Sequence, residues 1–220
     1  MNTIKVLIKK EVLLEWRQKY ALNGILLYLT STIFICYLSF SLGKGSISIA
    51  SWNALLWIIL LFTAVSAISK SFNQEKEGRM IYYYTIASPQ SVILSKIIYN
   101  FFLMLILALP GYLLYSLVMG NPVVNHSLFW ANLALGALGF STTLTMVSGI
   151  AAKAGNNVTL MAILSFPVII PMLLLLLKIS KNALTGISWS ASGESILVLL
   201  SINAIVATVS YLLFPYLWRS

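Results

Sequence analysis

Charged residues are scarce in this 220-residue chain, which has five glutamates, no aspartate and only 9% charged side chains. Soluble proteins carry about 25% charged and about 45–50% apolar residues, whereas 60% of this chain is hydrophobic. Too few charges are present to build a solvated surface, and disordered chains lack apolar residues at this frequency. The composition therefore predicts an integral membrane protein, and its length fits one transmembrane domain over 1–220.

Cysteine and histidine are nearly absent, with one residue of each. One cysteine, Cys36, cannot form a disulfide framework or a CxxC motif. One histidine, His126, cannot supply the ligand set of a metalloprotease, and a serine protease would also need a base. A lone histidine can be an axial heme ligand, so His126 is a candidate for heme contact. An ordinary interfacial histidine is the alternative.

No sequence pattern for nucleotide binding is present. The nearest string, GKGS at 43–46, lacks the upstream glycine and the hydroxyl residue of GxxxxGK[ST]. We therefore expect no catalytic residue, no metal site and no ATP site, so that this chain is not an enzyme on its own.

Long uncharged apolar runs dominate the chain. Each has 20 to 24 residues, enough for a helix to cross a hydrocarbon core of about 30 Å. A β-barrel would show segments of about 10 residues with alternating polarity, which runs such as LMLILAL do not. The predicted fold is all-α with six transmembrane helices, at about 21–42, 50–69, 97–119, 127–150, 158–177 and 195–217.

None of these predicted spans contains an ionisable side chain of Asp, Glu, Lys, Arg or His. Ion-coupled transporters and pumps usually carry such residues inside the membrane, so their absence argues against this class. A purely polar pathway using Asn53, Asn100 or Asn132 is the alternative, although single amides more often bond between helices.

The positions of the basic residues predict the orientation. Eleven of the fourteen lysines and arginines lie on one side of the predicted spans, and only Lys44, Lys178 and Lys181 lie on the other. By the positive-inside rule, both termini are cytoplasmic. Nucleic-acid binding is the rival explanation of the high pI, but the basic residues are scattered between spans and form no continuous patch.

Two segments on the predicted cytoplasmic side are candidates for function. Residues 2–20 place apolar side chains on one face and end in Trp16 and Tyr20, which suit the headgroup level. We interpret 2–20 as an interfacial helix, with a helical extension of span one as the alternative.

The second segment, 70–96, is the longest polar stretch. Its charged tip and following aromatic run favour contact with a cytoplasmic partner, and a solvated connector is the alternative. Pro89 can begin the next helix. The candidate contact residues are Glu75, Lys76, Glu77, Gly78, Arg79 and Tyr82.

Small residues and prolines mark candidate packing positions within the spans. Small side chains at spacings of three or four residues let helices approach closely, and prolines inside a helix remove a hydrogen bond and favour a kink. On the outer side, residues 178–194 are either a re-entrant piece or a loop. The packing and kink candidates are Gly136, Gly139, Ser141, Thr145, Gly149, Pro167 and Pro171.

The chain resembles the CcmB family, the heme exporter protein B subunits of cytochrome c maturation. The resemblance lies in KKEVLLEWRQK, with Glu11 and Arg17 matching, in LLWIILLF, and in the acidic-glycine loop that includes Pro89 and Lys96. It continues in a Gly-rich fourth span ending in a basic turn and in the paired-proline fifth span. Asn156 departs from the pattern, where a glycine is expected. The five segments are 9–19, 55–62, 72–98, 135–157 and 166–176.

This resemblance implies an ABC-2-like exporter subunit in the bacterial inner membrane. Its 70–96 loop would dock into a separate ATPase, so that ATP is used through a partner and heme is a handled ligand. The implied partners are a CcmA-like ATPase, a CcmC-like heme-handling protein, a small CcmD-like single-span subunit and a CcmE-like heme chaperone. A role in releasing the heme-loaded chaperone is favoured over direct heme passage. The alternatives are a permease for a drug, lipid or polysaccharide, and a membrane scaffold without transport.

Overall fold

The described part of the chain is almost entirely helical. A computed structural model describes residues 2–17, 19–42, 47–69, 71–72, 87–154 and 158–219. Six of its helices are long and apolar enough to cross a membrane, and the described residues include no strand. The predicted all-α fold with six spans is thus confirmed. The helices are α1 (Asn2–Arg17), α2 (Lys19–Leu42), α3 (Ile49–Ile68), α4 (Pro89–Met119), α5 (His126–Lys153), α6 (Val158–Leu184) and α7 (Trp189–Arg219).

Helix α4 begins eight residues before the start of the predicted third span. Ser88 caps it by accepting a hydrogen bond from the backbone N–H of Ser91, and Pro89 occupies its first turn. The predicted helix start at Pro89 is correct. The helix therefore includes Lys96, which the sequence places at the end of a polar loop.

The outer segment 178–194 is mostly helix, because both flanking helices extend into it. Helix α6 continues to Leu184 and α7 begins at Trp189, which leaves 185–188 as the connection. A left-handed backbone at Gly186 (φ 73°) makes the turn. The segment therefore forms neither a re-entrant piece nor a long loop.

Helix α5 is the centre of the bundle. It packs against α3, α4, α6 and α7, and 72% of its most hydrophobic stretch is buried, compared with 17% for α2. Most of its small residues face other helices, which explains why a span with so many glycines, serines and threonines is the least exposed one. Helix α2 packs on the outside, against α3 and α4.

The bundle has two distinct ends. At the end that we call the junction end, α3 stops, α4 begins and the rings of Phe72 and Phe214 lie 5.6 Å apart. At the opposite, far end, Trp52 Nε1 donates to the carbonyl of Gly120 at 3.0 Å, and Trp189 Nε1 donates to Ser127 Oγ at 3.1 Å. Helix α1 packs on α4 at the junction end.

Candidate functional site

A buried lysine lies where α1 meets α4. The Lys96 side chain is only 1% exposed, and its Nζ donates to Glu11 Oε1 at 3.0 Å and to the backbone carbonyl of Ser71. The same ammonium lies 4.7 Å from the centre of the Phe72 ring. One side chain therefore connects α1, α4 and the residues that follow α3.

The local sequence explains how Lys96 enters the core. Because α4 starts at Pro89, Lys96 lies two turns inside it, on a buried face with Val92 and Ile93. On α1, Leu7 and Glu11 are four residues apart and share the buried face. The helical periods of the two segments thus bring an acid and a base together.

Burial makes this ion pair important for structure. A buried charge is costly unless it is paired and hydrogen-bonded. Glu11 is 6% exposed and accepts from both Lys96 and Lys10, each at 3.0 Å. Separating α1 from α4 would leave a carboxylate and an ammonium without each other, so the pair holds the two helices together.

The network extends from Lys96 to the central helix. Asn100, one turn along α4, donates through Nδ2 to Thr145 Oγ1 at 2.7 Å and to Ser71 Oγ at 3.2 Å. Ser148 Oγ donates to the carbonyl of Ser69 at 3.3 Å. The end of α3 is therefore hydrogen-bonded to both α4 and α5.

An apolar layer lies next to these polar contacts. Phe72 is 2% exposed and packs with Leu7 of α1 and Phe214 of α7. Gly149 makes room for it, because a Cβ there would lie 3.2 Å from Phe214 Cε2 and 3.4 Å from Phe72 Cε2. We call the polar and apolar contacts together the junction network; its members are Leu7, Glu11, Ser69, Ser71, Phe72, Lys96, Asn100, Thr145, Ser148, Gly149 and Phe214.

The predicted contact residues for a cytoplasmic partner lie outside the described residues. They are Glu75, Lys76, Glu77, Gly78, Arg79 and Tyr82. In sequence they follow directly after Phe72 and precede α4, so the junction network brackets this segment on both sides. Of the other candidates, the structure brings Glu11, Thr145 and Gly149 into the network, whereas Arg17 is exposed on α1.

The other packing candidates serve contacts deeper in the bundle. A Cβ at Gly136 would lie 2.6 Å from Trp57 Cζ3, and one at Gly139 would collide with Met172 Sδ. Ser141 is buried and donates to the carbonyl of Leu138 within α5. The two glycines let α5 pack closely against α3 and α6.

The paired prolines lie inside α6. The helix continues through both Pro167 and Pro171, and each proline removes the N–H that would reach the carbonyl four residues earlier. The kink that we expect at these positions stays a prediction.

The three asparagines considered for a polar pathway bond between helices, as expected of single amides. Asn53 Nδ2 donates to the carbonyl of Leu177 and Asn132 Nδ2 donates to that of Leu176, both at 2.9 Å. Ser180 adds to this contact, since it accepts from Trp57 Nε1 at 2.9 Å and lies 2.6 Å from Asn53 Oδ1. The cluster ties α3 and α5 to α6.

His126 is exposed at the first turn of α5, at the far end of the bundle. Within the described ranges, no group of three His, Cys, Asp or Glu side chains is placed to hold a metal ion. Contact between His126 and heme stays a prediction.

Lys96 and Ser71 are the site residues that reasoning from hydrophobicity missed. Lys96 was missed because it was assigned to the polar loop before the third span. The predicted helix start at Pro89 would have placed it two turns inside a helix. Both Glu11 and Lys96 match the family in the resemblance. No local sequence pattern predicts that they pair, because they are 85 positions apart.

Comparison with protein families identifies the chain. Neither the comparison with curated proteins nor the comparison with solved structures found a match. A family model described as CcmB protein matches residues 2–216, nearly the whole chain. The chain therefore belongs to the CcmB family, the membrane permease subunits of the heme exporter in cytochrome c maturation.

Proposed function

We propose that this permease subunit is driven by a separate ATPase that binds the segment containing Glu75 to Arg79. In this proposal the subunit has an ABC-2-type architecture. It lies in a bacterial inner membrane, with both termini on the cytoplasmic side. ATP-dependent movement of the ATPase displaces the segment, and the displacement reaches the helices through the junction network. The chain itself contributes no ATP site.

The observation that carries the proposal is the position of Lys96. Its ammonium holds Glu11 of α1 and the carbonyl of Ser71 at once, and Ser71 lies four residues before Glu75 in the chain. A pull on the segment at its start therefore acts on α1 and α4 together. Through Asn100 and Thr145 it also acts on α5, which contacts most of the bundle.

Family membership supports a set of proposed partners. We propose a CcmA-like ATPase at the junction end, with CcmC-like and CcmD-like subunits in the membrane and a CcmE-like heme chaperone at the far end. Heme is then the cargo of the assembly. The chain's role is to couple ATP hydrolysis to release of the loaded chaperone, without direct passage of heme.

Charge reversal tests the coupling segment. The double variant Glu75→Lys/Glu77→Lys should reduce co-purification of the ATPase subunit and lower holo-cytochrome c in cells, because the reversed, now basic tip would be repelled by a surface that binds the acidic tip. The control is Glu194→Lys, which makes the same kind of substitution at an exposed glutamate of the far end and carries half the change of charge of the double variant.

Three outcomes decide the proposal. Loss of the ATPase with Glu75→Lys/Glu77→Lys but not with Glu194→Lys supports the coupling role. Normal ATPase binding and normal stimulation of hydrolysis in both variants would count against it and favour a scaffold. Normal holo-cytochrome c in a strain lacking the chain would point instead to an exporter of another substrate.

A further inference from the structure

Most basic side chains of helix α1 lie away from its two acidic side chains, the exception being Lys10, which pairs with Glu11 at 3.0 Å. Both of its acids face α4: Glu11 pairs with Lys96 at 3.0 Å, and Glu15, four residues on, is hydrogen-bonded to the Tyr99 hydroxyl. The basic residues Lys5, Lys9 and Arg17 are exposed. Among the described side chains of α1, none of the exposed ones is acidic.

The exposed face also carries large apolar side chains. Val6 is 66% exposed, Leu13 53% and Trp16 71%. A shallow groove of about 340 Å³ runs along this face, and both kinds of side chain line it: Val6, Lys9, Lys10, Leu13, Leu14 and Arg17. A groove lined by both apolar and basic side chains matches the acyl region and phosphate of an anionic phospholipid.

The length of α4 places this groove at the right depth. Its 31 residues rise about 46 Å at 1.5 Å each, whereas a hydrocarbon core is about 30 Å thick. If the core spans the residues nearest Met119, the first ten or so residues of α4 lie at or beyond its junction-end boundary. Helix α1 contacts α4 in that stretch, at Lys96, so it lies at headgroup level.

We propose that the outer face of α1 is a binding site for anionic phospholipid. The phosphate lies between Lys9 and Arg17, and an acyl chain lies along Val6 and Leu13. Glu11 is bonded to Lys96 of α4 and to Lys10 of the groove, so Lys10 is already paired and only Lys9 and Arg17 are assigned to the phosphate. The proposal does not require that the bundle is coupled to an ATPase.

Lipid titration of the full-length chain tests this site. Native mass spectrometry of the purified protein, titrated with palmitoyl-oleoyl phosphatidylglycerol or with the matching phosphatidylcholine, should show tighter retention of phosphatidylglycerol. Lys9→Gln/Arg17→Gln should weaken the tightest phosphatidylglycerol adduct roughly 30-fold, at about a factor of five per basic residue near an anionic surface.

The matched control removes the same charge at the other end of the bundle. Lys178→Gln/Lys181→Gln changes two exposed lysines of α6 and should leave that adduct intact. The charge-conserving Lys9→Arg/Arg17→Lys should also retain it, which separates loss of charge from loss of fold. Inorganic phosphate should not displace the lipid, because it has no acyl chain to contact Val6 and Leu13.

Several results would overturn the site. One such result is equal retention of the two lipids by the unaltered chain. Another is an equal loss of phosphatidylglycerol binding in the α1 and α6 variants. Displacement of the lipid by inorganic phosphate would assign the groove to a soluble anion. Loss of a co-purifying subunit in Lys9→Gln/Arg17→Gln, with lipid binding unchanged, would assign the face to an acidic protein.

Discussion

Lys96 and Glu11 form a buried ion pair in which each charge compensates the other. Breaking such a pair from one side typically costs about 3–5 kcal/mol, because a charge is left buried without its partner. We therefore expect Lys96→Met and Glu11→Gln each to lower the melting temperature of the purified chain markedly. The measurement is thermal unfolding in detergent, followed by circular dichroism.

The double variant Glu11→Gln/Lys96→Met distinguishes pairing from two separate effects. With both charges removed, the loss should be smaller than the sum of the two single losses, because neither charge remains buried alone. The control Lys9→Met changes an exposed lysine of α1 and should change stability little. Strictly additive losses would show that the two residues act independently.

Gly136 is a residue where one methyl group matters. A Cβ there would lie 2.6 Å from Trp57 Cζ3, and the indole cannot turn away freely because Nε1 is bonded to Ser180. Gly136→Ala should therefore destabilise the chain by about 1–3 kcal/mol through overpacking. Gly24→Ala is the control, since nothing lies within 4 Å of its Cβ position. It should be neutral or slightly stabilising. Equal melting temperatures for both variants would contradict the close contact.

At the scale of helices, Ser180 joins α6 to α3. Ser180→Ala would leave the buried groups Trp57 Nε1 and Asn53 Oδ1 without this partner, and each such loss costs about 1–3 kcal/mol. We expect a clear fall in thermal stability. Ser201→Ala in α7, an exposed serine bonded only to its own helix at Leu197, should have little effect. Similar melting temperatures for the two variants would argue against the hydrogen bonds of Ser180 with Trp57 and Asn53.

Hydrophobic length was enough to predict the six spans, whereas their ends were not. A span is set by the run of apolar residues, but a helix extends as far as its caps and contacts allow. Ser88 and Pro89 extend α4 outward, and Lys96 stays helical because Glu11 compensates its charge. The sequence does not reveal that compensation, because a hydropathy scale gives a lysine the same value whether it is solvated or paired.

The partner residues of the candidate site were partly predictable. Asn53, Asn100 and Asn132 were expected to bond between helices, and they do. Their acceptors were not predictable, because two are backbone carbonyls, which every residue has. Helical period places Leu7 and Glu11 on one face, but only tertiary packing places that face on α4.

At the scale of the whole molecule, the bundle should have its junction end in the cytoplasm. In a Cys36→Ala background, Ala154→Cys introduces an exposed thiol at the junction end and Thr185→Cys introduces one at the far end. A membrane-impermeant maleimide applied to cells with a permeable outer membrane and an intact inner membrane should label only Thr185→Cys. Ala154→Cys should react after the inner membrane is opened. The reverse labelling pattern would contradict the proposed orientation, because the junction end and its ATPase contact would then lie outside the cytoplasm.

The Glu11–Lys96 pair also has a consequence for the order in which the protein is made. The acid is synthesised 85 residues before its base, so α1, α2 and α3 leave the ribosome before α4 can receive α1. During that interval Glu11 has no contact with Lys96. Docking of α1 on α4 therefore cannot precede synthesis of residue 96, and a nascent chain stalled before that residue cannot complete it.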